Sequence, residues 1–268
     1  MTAFATHFVF EFKSGLRNST AMLMNYLFPL GFYALMGLVM TQINPGFKSL
    51  LIPSMILFTI MASNLLGLPG PLVESREAGI YRSFKINGVP ALSILAIPVA
   101  STIFHAVIAS TIIALTAGPL FDGLAPVNWG NLAWITLLAA ITLGTLGGLI
   151  GVVATSSRAI VLLSQIVFLP SMLLGGLMIP MDVLPESVRF IAGFLPSTYA
   201  MQAFQSLAFG QPALIDPLTA VLTLAGSSVI AFGLAIFLFN WDSKNSVRRG
   251  HPALGLLVLL PYIAAILI

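Results

Sequence analysis

Glu74, Arg76, Glu77, Arg82 and Lys85 place five of the 19 charged residues (11 Lys/Arg, 8 Asp/Glu) within one short stretch of the chain. Mixed signs at that density suit docking to a protein partner that carries its own charges, whereas a pure orientation signal would need bases alone. His105 is the one ionisable group set well inside an apolar segment. An isolated imidazole there more readily hydrogen-bonds two helices than relays protons. Asn64 and Gln165 are expected to act as uncharged glue of the same kind. No grouping supports catalysis. There is no H-E-x-x-H, no nucleophile elbow, and no carboxylate pair in an apolar stretch. No phosphate-cradling G-x-x-x-x-G-K-[ST] is present, so no catalytic residues and no ATP hydrolysis by this chain are expected. Zero cysteines exclude disulfides and thiolate metal sites, and no metal or bound cofactor is expected.

The elements that must position these residues are helices in a membrane. Of 268 residues, 58% are hydrophobic and 7% charged, against roughly 25% charged in a soluble domain. Mean hydropathy is +1.04. Seven segments, 20–41, 50–72, 91–118, 131–153, 160–179, 218–240 and 252–268, contain no Asp, Glu, Lys or Arg. A hydrocarbon core about 30 Å thick takes about 20 apolar residues as helix. Backbone groups in lipid must be paired within the segment, so each is predicted to be helical. The fold class is therefore an all-α polytopic membrane bundle of six core transmembrane helices plus a seventh C-terminal one. That last segment is at the lower length limit, and Pro261 would kink it. Gly144/Gly148 and Gly147/Gly151 in the fourth segment are small-xxx-small pairs that let another helix come close.

With the N-terminus in the cytoplasm, inside loops hold Lys13, Arg17, Arg76, Arg82, Lys85, Arg158, Lys244, Arg248 and Arg249, and outside loops only Lys48 and Arg189. That asymmetry sets the orientation, so the basic pI is a membrane-topology signal, and no nucleic-acid partner is expected. Trp241 reads as an interfacial anchor, with Lys244, Arg248 and Arg249 holding that end inside. In the first residues, charge follows a short aromatic stretch, the wrong order for a cleavable signal. Phe4, Phe8 and Phe12 recur every four residues, with His7, Glu11, Lys13 and Ser14 off that stripe. Residues 1–18 are therefore predicted to be an interfacial helix.

Two loops stand out. In the cytoplasmic stretch 71–90, Val73, Ile80 and Phe84 fall near one helical face, which predicts a short amphipathic helix stopped by Gly88 and Pro90. The outside stretch 180–215 is too long for a turn and too apolar to be solvated. Prolines cut it into helix-like pieces, 186–195 and 197–209, with Ser197 as an expected N-cap and Glu186–Arg189 as an expected local pair. Pieces this short do not span. They fit a re-entrant pair that must be packed on protein.

Two local patterns resemble a known family. Arg76-Glu77-x-Gly79 followed by Pro90 is similar to the R-E-x-G-T…P stretch, and Gly176…Pro180…Pro185…Pro196-x-x-Tyr199 to the G…P…P…P-x-x-Y stretch, of the membrane (permease) subunits of type-2 ATP-binding-cassette (ABC) exporters. The layout of residues 1 to about 245 follows that family too. Ile80 replaces the usual Thr, and the seventh apolar segment is atypical. The resemblance implies that 71–90 is a coupling helix, with Glu74, Arg76, Glu77, Gly79, Arg82 and Lys85 meeting a separate nucleotide-binding ATPase subunit. It implies an extracellular gate at Pro180, Pro185, Pro196 and Tyr199, and a second permease copy as homodimer or heterodimer. ATP would sit on the partner subunit, and the whole would lie among lipids in a prokaryotic plasma membrane. The competing readings are a stand-alone secondary carrier or channel, and an intramembrane enzyme or scaffold. A carrier should show inverted repeats, which are not evident, and an enzyme would need a polar pair beyond His105.

Overall fold

Segments that cannot hydrogen-bond to lipid close their hydrogen bonds on themselves, and the described residues form helices and turns without a strand. The computed structural model describes residues 3–242 and 250–267. The bases Lys244, Arg248 and Arg249 lie outside the described residues. Helix α1 (Ala3–Arg17) precedes six helices long and apolar enough to cross a membrane among the described residues. These are α2 (Ser19–Ile43), α3 (Leu51–Glu77), α5 (Ala91–Phe121), α6 (Trp129–Val153), α7 (Ser157–Leu174) and α10 (Pro217–Leu238). The short helix α4 (Ile80–Ile86) follows α3, and α8 (Glu186–Ala192) and α9 (Pro196–Ala203) lie between α7 and α10. A 3-10 stretch, Pro252–Leu259, leads into α11 (Leu260–Leu267).

Helix α3 is the centre of the bundle. Every residue from Leu51 to Leu65 is buried. It sits so deep because α6 presents glycines to it. A Cβ on Gly147 would overlap the carbonyl oxygen of Asn64, and one on Gly151 would lie 2.8 Å from Leu72 Cδ1. At this crossing α3 widens into a π turn, Ala62–Gly67, with Leu68 N–H bonding back to the Ser63 carbonyl at 3.1 Å. The Asn64 amide donates to the Ile60 carbonyl at 2.9 Å within α3, so Asn64 serves its own helix and does not bridge to another. His105 does bridge: its Nδ1 lies 2.7 Å from the Tyr26 hydroxyl of α2.

Several boundaries differ from the sequence expectation. The second crossing does not stop at residue 72 but runs on to Glu77, because Arg76 is drawn inward. The charged stretch is thus the end of α3 plus the separate helix α4. The fifth ends early, at Leu174, because Gly175 packs against Ser197 and Gly176 turns left-handed at φ 86°. Ser197 is not an N-cap: Leu195 holds that position, and the Ser197 hydroxyl faces Gly175. Arg189 does not pair with Glu186. It donates to the carbonyls of Asp182 (3.3 Å) and Leu184 (3.1 Å), since a turn's free carbonyls are nearer than a solvated carboxylate.

The close α3–α6 crossing predicts that Gly147→Ala destabilises the chain by about 1–3 kcal/mol through overpacking. Gly233→Ala, where nothing lies within 4 Å, should be neutral or slightly stabilising. Thermal unfolding of both variants in detergent checks the contrast.

Candidate functional site

The two ends of the bundle are built differently. At one end loops are stitched by short polar contacts: Lys48 pairs with Asp122 at 3.0 Å, Leu124 N–H reaches the Lys48 carbonyl at 3.0 Å, and the Asn131 amide donates to the Leu207 carbonyl at 2.7 Å. At the other end gather the charges of residues 74–85.

Those charges divide by role. Arg76 is buried and caps the C-terminus of α6, donating to the carbonyls of Val152 (2.9 Å) and Ala154 (2.5 Å). A helix leaves its last carbonyls unpaired and carries partial negative charge there, so a guanidinium fork is well matched. Three residues on, Gly79 adopts φ 75°, a left-handed conformation that favours glycine, and the chain turns into α4. One face of α4 is fastened to the segment after α10. Tyr81 meets Phe239 with ring centroids 5.5 Å apart, Arg82 pairs with Asp242, and Lys85 lies 6.0 Å from the Trp241 ring. Burial pushes the Tyr81 phenol up, so it stays neutral. Val89 N–H to the Phe84 carbonyl and Gly88 N–H to Lys85 then end α4. Glu74, Glu77 and Ile80 remain exposed around the bend.

Helix α1 lies across α5 beside this surface. Phe12 stacks on His105 at 4.3 Å and meets Phe104 edge-on at 5.5 Å. Glu11, off the aromatic stripe in the sequence, is partly buried. That burial raises its carboxyl above its ordinary 4.5, against the pull of His7.

At the opposite end the chain after α7 folds into a hairpin. Pro180 and Pro185 hold extended backbone, Pro185 directly preceding α8, and Pro196 opens α9. The turn between α8 and α9 has carbonyls no helix can satisfy. Thr198 Oγ1 donates to the Ala192 carbonyl (2.7 Å) and the buried Tyr199 hydroxyl to the Gly193 carbonyl (2.9 Å). Sequence reasoning missed Gln202, whose side-chain oxygen accepts from the backbone of Leu214 at 2.6 Å and ties the hairpin to the return loop. A glutamine in so apolar a stretch was the available signal. A cavity of about 470 Å³ opens beside it, lined by Asn44, Ser49, Pro180, Gln202, Gln205 and Gln211. The coupling and gate candidates therefore fall into two separate groups at opposite ends, each tied together internally.

Six helices long and apolar enough to cross a membrane, a stapled bend at one end and a helical hairpin at the other fit a multi-span membrane permease. The chain belongs to the ABC-2 type transporter family, whose description matches residues 2–209. It is the membrane subunit of an ABC transporter and resides in the cell membrane. Among relatives, it is 27% identical over 195 residues to YvfS of Bacillus subtilis (strain 168), a protein named as a transport permease, covering 70% of this chain and 78% of that one. It is 26% identical over 155 residues to the linearmycin resistance permease protein LnrN of the same organism, covering 57% of this chain and 39% of that one. No solved structure matches it.

Arg76→Lys should cost about 2 kcal/mol, because a point ammonium cannot serve several carbonyls at once; the loss is read as a lower unfolding temperature in detergent. Glu11 gives a pH signature. Its folded carboxyl holds its proton to higher pH than the unfolded one, so its contribution falls as pH rises from 4.5 through the raised value. Glu11→Gln should remove that component of the stability–pH curve, measured by thermal unfolding across the carboxylate range.

Proposed function

We propose that this permease works as an exporter driven by a separate ATPase subunit that binds at the bend between α3 and α4. The single observation behind this reading is the division of charges there. Arg76 and Arg82 are spent on internal contacts, while Glu74 and Glu77 are exposed on a segment rigidly joined to α6 and α10. A partner that grips the exposed acids would move those helices as a unit. Gly79 sets the angle of the bend, and Lys85 flanks it. In this reading the charged end is cytoplasmic, the N-terminus included, and ATP is bound by the partner and not by this chain. Two permease copies, identical or different, flank a central path. The α8–α9 hairpin, with Pro180, Pro185, Pro196 and Tyr199, closes that path at the extracellular end. ATP must bind one arrangement of the assembly more tightly than the other, or it shifts nothing.

The test is co-purification. Wild-type chain should carry a soluble ATPase through purification, and the Glu74→Lys/Glu77→Lys double variant should lose it while keeping its unfolding temperature. Undiminished transport by the purified chain without nucleotide would end this reading.

A further inference from the structure

The C-terminal apolar segment lies beyond residues 2–209, the part of the chain that the family description matches. Its geometry is unusual. Pro252–Leu259 is 3-10 helix and Leu260–Leu267 is α-helix. At about 2.0 Å and about 1.5 Å per residue these rise about 28 Å together, close to the thickness of a hydrocarbon core. The segment runs antiparallel along α10, with Gly250 beside Leu238 and Pro261 beside Gly226. Near its far end two buried tyrosines meet. The Tyr262 hydroxyl donates to Ser227 Oγ of α10 at 2.9 Å, and its ring lies 5.5 Å from that of Tyr199. Beyond it, Ile266 packs against Gly193 in the turn between α8 and α9.

A phenylalanine would fill the same space as Tyr262. The hydroxyl adds a fixed point, because a buried hydroxyl in apolar surroundings is costly unless paired, and Ser227 is its partner. We propose that Tyr262 is a positioning residue for the re-entrant hairpin: anchored to Ser227, it holds the ring against which Tyr199 rests and so keeps the α8–α9 turn seated in the bundle. The inference builds on the reading of that hairpin as the closing element. It makes the C-terminal segment a specific part of this permease's gating.

The chain has no cysteine, so a single introduced thiol can report on hairpin opening. Ser197 is fully buried at the start of α9, and a Ser197→Cys thiol is reached by a small maleimide only when the hairpin lifts. The measurement uses the full chain with its co-purifying ATPase in lipid nanodiscs. Tyr262→Phe and Ser227→Ala should each speed labelling about five-fold, the factor of one net buried hydrogen bond in an opening equilibrium. The double variant should be no faster than either single one, since both remove the same bond. Unchanged labelling in Tyr262→Phe, or additive effects in the double variant, would overturn the proposal. Faster labelling with unaltered transport would uphold the positioning role and discard the gate reading beneath it.

Discussion

Every backbone carbonyl and N–H in the apolar segments of this chain must find a partner without help from solvent, and the places where helices stop reveal how that is done. Long helices solve the problem along their length. At their ends, and in the hairpin between α7 and α10, side chains take over. Arg76 closes the end of α6, and Thr198 and Tyr199 close the end of α8. Gln202 receives a backbone N–H from the return loop. These residues stand where a family pattern or an isolated polar letter in an apolar run marks the sequence. The patterns around Arg76 and Tyr199 thus mark backbone repair first, and whatever function those segments serve is built on that repair.

The same constraint explains the division of labour at the charged end. A cationic side chain in that loop that serves the protein's own carbonyls and carboxylates has fewer donors left for a partner. Arg76 and Arg82 are committed inward, and Lys85 leans on Trp241. Glu74, Glu77 and Ile80 face outward, beside Arg82 and Lys85, which stay exposed while held by Asp242 and near Trp241. Of the bases in this loop, Arg76 alone is buried.

Much of the architecture was legible. Six crossings, the hairpin and the glycine face of the fourth crossing follow from apolar length, proline spacing and small-residue spacing. What was not legible depended on pairs distant in the chain. Nothing near Arg76 reveals that its partners are carbonyls some 75 positions away, and so the second crossing read as ending five residues early. Glu11 falls off the aromatic stripe, yet it is partly buried. Ser197 read as a cap because local sequence favours it, whereas tertiary contact with Gly175 claimed its hydroxyl side. Local rules fail where a neighbour from elsewhere in the fold supplies or demands the group.

The π turn at Ala62–Gly67 has an effect beyond its own carbonyls. One additional residue in a helical turn advances the azimuth of everything downstream by about 100°. Drawn as regular α-helix, α3 would aim the Arg76 side chain off to one flank, leaving the terminus of α6 bare. The phase set midway along the bundle thus decides which way the residues at its tip point.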